Sequence, residues 1–274
     1  MMKRNKLVLL IAATFTVSAA NAAVTEGSYY GDSSEGSYVS VGKSDINAGS
    51  AHTAGLAGFG VNATGIGIQV DFQGLSGYST SSNADVDWDQ NATVDGTHTV
   101  YEFVSPYSGP VEDHDSLGVF AFTKIGSDDL WIGEWSSTGD VTNDTHTVYY
   151  FGKDYDDSIP SSGSATYNIV GINDYDSTSG GNLLSGEFTA DFGLSRLTGS
   201  ISNSSGYTVN VGLVTINSNA TLSGSTAIAS DSSGTLASSG AVSGRFYNSQ
   251  EDLAGMVEFT DNQYDTAFGG SVAD

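Results

Sequence analysis

Cysteine is absent from this 274-residue chain. That removes thiol nucleophiles, iron–sulfur clusters, thiolate zinc sites and disulfide cross-links together. The fold must rest on buried apolar area, which this length can supply in one large domain or two smaller ones. Bases are nearly absent as well: eight Lys and Arg stand against 32 Asp and Glu, a formal net charge of −24. Beyond residue 22 only Lys43, Lys124, Lys153, Arg196 and Arg245 remain. Without clustered cations the chain is not built to grip nucleic acid or an anionic bilayer. Its acids read chiefly as a solvated surface, which favours solubility or a basic partner. No apolar run reaches the roughly 20 residues of a membrane-spanning helix. Catalytic signatures are missing too: there is no Gly-x-Ser-x-Gly elbow, no His-Glu-x-x-His and no phosphate-binding glycine loop followed by Lys. A binding protein, not an enzyme, is expected.

The first residues have the form of an export signal. Lys3, Arg4 and Lys6 precede the short apolar run Leu7–Ala13, and Ala20-Asn21-Ala22 is a small-x-small cleavage site. Cleavage is expected after Ala22, with no cysteine there to take a lipid, so a secreted chain without a membrane anchor is expected. The chain as a whole is rich in glycine (35 residues) and aromatics (14 Tyr, 12 Phe, 3 Trp), with three prolines. The aromatic content argues against disorder, because it supplies apolar area to bury.

Alternation with period two recurs throughout. Candidate strands are Tyr38–Lys43, Gly65–Phe72, Thr97–Val104, Leu117–Ile125, Leu130–Ser136 and Thr145–Gly152. Eight more come after them: Ala165–Ile172, Leu183–Phe192, Leu197–Ser202, Tyr207–Ile216, Ala220–Ile228, Ala241–Tyr247, Leu253–Phe259 and Thr266–Val272. No useful amphipathic helix is evident. The second set is evenly spaced, which suggests closure into an antiparallel barrel. The first half holds all four His and all three Trp. The predicted organisation is all-β: a signal peptide (1–22), an N-terminal β-sandwich-like domain (23–155) and a C-terminal antiparallel 8-stranded β-barrel (156–274). The boundary falls in the Asp-, Ser- and Gly-rich stretch Tyr155–Gly163.

Ala165-Thr166-Tyr167-Asn168-Ile169-Val170-Gly171-Ile172 resembles the opening strand of the C-terminal barrels of transferrin-binding protein B and its relatives. Gly244-Arg245-Phe246-Tyr247, Leu253-Ala254-Gly255-Met256-Val257 and Ala267-Phe268-Gly269-Gly270 resemble its closing strands. Lacking a lipobox cysteine, and carrying Leu130-Trp131-Ile132-Gly133-Glu134-Trp135, the chain looks most like the hemophilins, secreted haem carriers of Gram-negative bacteria. The resemblance implies an N-terminal ligand-binding handle and a barrel tied to export by a Slam-type translocon. It also implies haem as ligand, host haemoproteins such as haemoglobin as its source, passage through the periplasm, and an outer-membrane TonB-dependent receptor as recipient. The competing reading is a secreted host-protein-binding surface or effector module without haem.

Haem iron takes His, Met, Cys or Tyr. Met256 falls in a barrel strand and reads as core, which leaves His52, His98, His114 and His146, with several Tyr. His52 lies in a small, uncharged loop, Asn47 to Phe59, where Gly55 and its neighbours would let a flat macrocycle approach closely; the same loop suits simple packing on a sheet. His114 sits among acids in Pro110-Val111-Glu112-Asp113-His114-Asp115, where a carboxylate could orient it or hold it protonated. His98 and His146 open matching Thr-His-Thr-Val-Tyr segments at 97–101 and 145–149, and each could point to either face. His52, His114 and His98 are the foremost iron-ligand candidates, with Gly55, Phe59 and Tyr149 as pocket candidates. Asp85, Asp87 and Asp89 alternate, but Gln90 and Gly96 break the calcium-loop signature.

Overall fold

The computed structural model describes residues 27–46, 52–62, 68–80, 89–104, 117–176 and 182–273. The expected signal peptide (1–22), Asp85, Asp87 and His114 lie outside them.

The N-terminal half runs β1 (Tyr29–Ser33), β2 (Val39–Lys43), β3 (Ala57–Val61), β4 (Val70–Asp71), α1 (Phe72–Thr80), β5 (Asp89–Asp95), β6 (His98–Val104), β7 (Val119–Ile125), β8 (Leu130–Ser136) and β9 (Thr147–Lys153). Six strands form an antiparallel sheet in the order β1-β9-β8-β7-β6-β5, and β2-β3-β4 form a second, three-stranded sheet. One face of the large sheet carries Phe103, Phe120, Phe122, Trp131, Trp135, Tyr149 and Phe151. It is covered by Val39, Ala57, Phe59 and Val61 of the small sheet and by Phe72 and Leu75 of α1. This is the expected sandwich.

Two sequence expectations fail here. Alternation carried the predicted strand Gly65–Phe72 through Phe72, but of its described residues only Val70 and Asp71 are strand. Asp71 then caps a helix: its Oδ1 accepts the Gly74 N–H at 2.6 Å, satisfying an amide of the first turn. That short helix was not anticipated, since Gly74 and Gly77 weaken its pattern. The Asn47–Phe59 segment is likewise not all loop, because Ala57 begins β3.

The C-terminal half comprises β10 (Ser164–Ile172), β11 (Leu184–Asp191), β12 (Arg196–Ser202), β13 (Thr208–Asn210), β14 (Val214–Ile216), β15 (Thr221–Asp231), β16 (Gly234–Tyr247), β17 (Asp252–Glu258) and β18 (Thr266–Val272). The antiparallel ladder runs from β10 through β11, β12, the β13/β14 pair, β15, β16 and β17 to β18, which pairs back on β10. It is a closed barrel of eight staves. One stave is broken: the expected strand Tyr207–Ile216 is two, because Gly212 turns at φ +68°. The amides freed there go to side chains, Gly212 N–H to Asn210 Oδ1 (2.8 Å) and Leu213 N–H to Thr226 Oγ1 (3.1 Å). Tyr167, Phe188, Leu197, Val209, Phe246, Leu253 and Phe268 fill the interior.

The two halves share a third core. The other face of the six-stranded sheet, with Val100, Ile125, Leu130, Ile132, Val148 and Tyr150, packs on the outside of the barrel at Val170, Ile172, Tyr247, Ala254, Met256 and Ala267. Leu130–Ser136 is therefore buried on both faces along its whole length. Gly269 permits this closeness, since a Cβ there would sit 2.8 Å from Ile125 Cγ1 and 3.1 Å from Ile132 Cγ2. Beside this seam the Arg245 guanidinium lies between the rings of Tyr30 (4.6 Å) and Tyr155 (4.1 Å), and its Nε donates to Asp156 O (2.9 Å).

Several acids are nonetheless buried, and backbone amides satisfy them. Asp156 accepts the Ser249 and Gln250 N–H groups at 3.0 and 2.8 Å. Glu134 accepts those of Asp174 and Tyr175 (2.9 and 2.7 Å), and Asp265 that of Phe259 (2.7 Å).

Candidate functional site

The small sheet places His52. The residues after it turn back on β2, with Gly55 N–H donating to Ser44 O (2.9 Å) and Ser44 N–H to Leu56 O (2.8 Å). This brings His52 Nδ1 to 3.0 Å from Asp71 Oδ2. The same oxygen accepts the Thr53 N–H at 3.0 Å, while Oδ1 holds the start of α1. Asp71 is 1 % exposed and the His52 side chain 14 %. A carboxylate accepts and does not donate, so Nδ1 carries the N–H that faces Asp71, and in that tautomer the ring's lone pair is on Nε2. A ring so oriented by a carboxylate is the arrangement in which histidine ligates metals well. Thr53, Ala54 and Gly55 beside it are exposed and small; Gly55 has φ +88°, and a Cβ added there would meet no atom of the described residues within 4 Å. This donor chemistry beside small, exposed residues fits a haem.

Behind the site lies the aromatic core. Phe59 stacks on Phe72 (5.2 Å between centroids) and on Tyr149 (5.6 Å), and Phe72 stacks on Trp131 (5.5 Å). Phe59 and Tyr149 are thus interior to the sandwich, where they build its core and not an open cleft. The Tyr149 hydroxyl is buried with no hydrogen-bond partner among the described residues, and burial raises its pKa well above the usual phenol value. A second carboxylate, Asp129, ties the small sheet to the large one by accepting from Ala57 N–H (2.7 Å), Tyr29 OH (3.0 Å) and Trp131 Nε1–H (2.8 Å).

The other histidines lie elsewhere. Strand alternation puts His98 on the face of Val100, toward the barrel and away from Phe59 and Phe72. It lines a cleft of about 440 Å³ with Asn168 and Ser271, its Nδ1 is 3.3 Å from Lys124 O, and burial lowers its pKa. His146 is on the same side, 2 % exposed and enclosed in the seam. His98 and His52 are therefore on opposite sides of the large sheet. Sequence reasoning missed Asp71. The signal was weak: an Asp three residues before Gly74, masked by an apparent strand.

The fold and this site define a class, a two-lobed, all-β binding protein. Residues 19–147 match the family model of the HphA N-terminal heme-binding domain, and residues 157–272 that of the HphA C-terminal domain. The chain belongs to the HphA, or hemophilin, family, whose N-terminal domain is a haem-binding one. Among solved structures it is similar to a double mutant of transferrin-binding protein B from Haemophilus parasuis Hp5. That match has 17% identity and a TM-score of 0.38, and covers 67% of this chain and 38% of that one. Intact Ap-TbpB gives 15% identity, coverage of 68% and 38%, and a TM-score of 0.34; a surface lipoprotein gives 18%, coverage of 67% and 93%, and 0.37. The chain spans about 38% of the length of the first two. Hemophilins and transferrin-binding proteins are binding proteins and not enzymes.

Proposed function

We propose that the chain is a secreted haem carrier whose N-terminal domain, residues 23–155, takes the cargo at His52, and whose barrel, residues 156–274, serves export and presentation. The observation that carries this reading is the His52–Asp71 pair at 3.0 Å on an exposed loop of small residues. In it His52 holds iron through Nε2, and Asp71 keeps the proton on Nδ1 and the ring in place. His114, from the acidic segment outside the described residues, is the second candidate ligand. His98 belongs to a different surface of the handle and does not share the same iron. The route proposed is extracellular, through the periplasm and a Slam-type translocon, with haem drawn from host haemoproteins such as haemoglobin and passed to a TonB-dependent outer-membrane receptor.

The test is an absorbance titration of the signal-free protein with haemin. A saturable Soret change at one haem per chain, altered in band position or affinity by His52→Ala and unaffected by His98→Ala, supports the assignment. A His52→Ala titration identical to wild type rejects it.

A further inference from the structure

We propose that a doubly protonated His146 clamps the two lobes together, so that the seam is tight at mildly acidic pH and loosens as this ring loses its second proton. The inference does not depend on what the handle carries. His146, in the handle just before β9, points into the seam. Its Nδ1 is 2.6 Å from the carbonyl oxygen of Asn262 in the C-terminal half, and its Nε2 is 3.1 Å from Glu134 Oε2 of β8. A backbone carbonyl only accepts. Glu134 is committed to accepting as well, since Oε2 takes the Asp174 N–H and Oε1 the Tyr175 N–H. Two ring nitrogens facing two acceptors need two N–H groups, which only the imidazolium has. Asn262 closes the circuit, its Nδ2 donating to the carbonyls of His146 and Asp144, both at 3.2 Å.

The charged surroundings agree. Glu134 faces the ring from β8, Asp144 flanks it on its own loop, Asp174 follows β10, and Asp265 precedes β18. Glu258 and Asp261 lie behind Asp265, and Asp140 and Asp176 beside Asp174. Each of these is an acid. Burial opposes a charge on His146, but the Glu134 hydrogen bond and charge, the Asn262 carbonyl and the charge of Asp265 together raise its pKa above 6.5. Burial also pushes Asp265 from 3.8 up to about 7, against the Phe259 amide bond and the His146 charge.

A histidine whose folded pKa is raised contributes stability that is complete below its unfolded value and lost as pH climbs through the folded one. Above that point Glu134 is a buried anion without its cation, and one ring nitrogen faces an acceptor with a lone pair. The raised Asp265 acts in the same direction over a lower window, from about 4 to 7.

The experiment is a pH titration of the whole chain, from 5.5 to 9, by long-range proton–nitrogen correlation of the histidine rings, with thermal unfolding followed in parallel. His146→Gln assigns the resonance. Expected are two protonated ring nitrogens on His146 at pH 6.5 and a midpoint above that pH. The melting temperature should fall through the same midpoint, a fall absent from His146→Gln and moved to lower pH in Glu134→Gln. A singly protonated ring at pH 6.5 overturns the proposal, as does a melting profile above pH 6.5 that His146→Gln leaves unchanged. Should His146→Gln not fold, the wild-type ring, assigned by replacing the other three histidines, decides alone.

Discussion

The barrel and the handle are both antiparallel, but they dispose of their faces differently. The barrel closes on itself and fills its interior with its own side chains. The handle's six-stranded sheet is open, and needs a cover on each face: the barrel wall on one, the β2-β3-β4 layer with α1 on the other. The closed lobe can be stable with little sequence-specific help. The open lobe depends on a thin outer layer pinned by two carboxylates, Asp71 and Asp129, and that layer is where the candidate ligand histidine sits.

Four substitutions probe this division. The largest effect is expected at the seam: Gly269→Val drives a branched side chain into Ile125 and Ile132. A loss of about 3 kcal/mol is expected from such overpacking, or a melting temperature lower by about 6–12 °C. If the lobes are one cooperative unit, calorimetry shows a single shifted transition; two resolved transitions would mean that the halves stand independently. Next is Asp156→Ala in the barrel. Asn248, Ser249 and Gln250 all have left-handed φ (54°, 62° and 64°), and Asp156 holds the last two amides. Orphaning the buried Gln250 amide and the part-buried Ser249 amide should cost about 2 kcal/mol in denaturant unfolding, without altering haem affinity. Asp71→Asn acts on the handle. Haem affinity should fall about 10- to 100-fold, as for other lost orienting partners of ligand histidines, with about 1 kcal/mol of stability lost at the helix cap. The smallest change is expected from Tyr149→Phe. Removing a buried hydroxyl that has no partner among the described residues should raise stability by about 1 kcal/mol, read as a higher denaturant midpoint with unchanged slope.

Most of the architecture was legible in the sequence, because alternation reports burial on one face and the barrel strands obey it. Leu130–Ser136 and Thr266–Val272 appear at their predicted bounds. Alternation failed where a single side chain rewrote the local backbone. Asp71 ended β4 and started α1, and Gly212 broke a stave while Val209, Val211, Val214 and Ile216 all still faced inward. The candidate site was half legible. His52 stood out by its loop, but Asp71, 19 residues on, is brought to it by the pairing of β3 with β4, which no local pattern encodes. Phe59 and Tyr149 illustrate the opposite difficulty. An aromatic that lines a pocket and one that fills a core have the same periodicity.

The buried carboxylates carry a wider implication. Asp71, Asp156, Glu134 and Asp265 are each bonded to main-chain N–H groups, which every residue except proline provides. Such a fold can hold its internal acids with few basic residues: of these four, only Asp156 has an arginine, Arg245, beside it. A surface of one sign and an interior tolerant of acids can then coexist, and ionic strength should act mainly on what the protein meets and little on whether it stays folded.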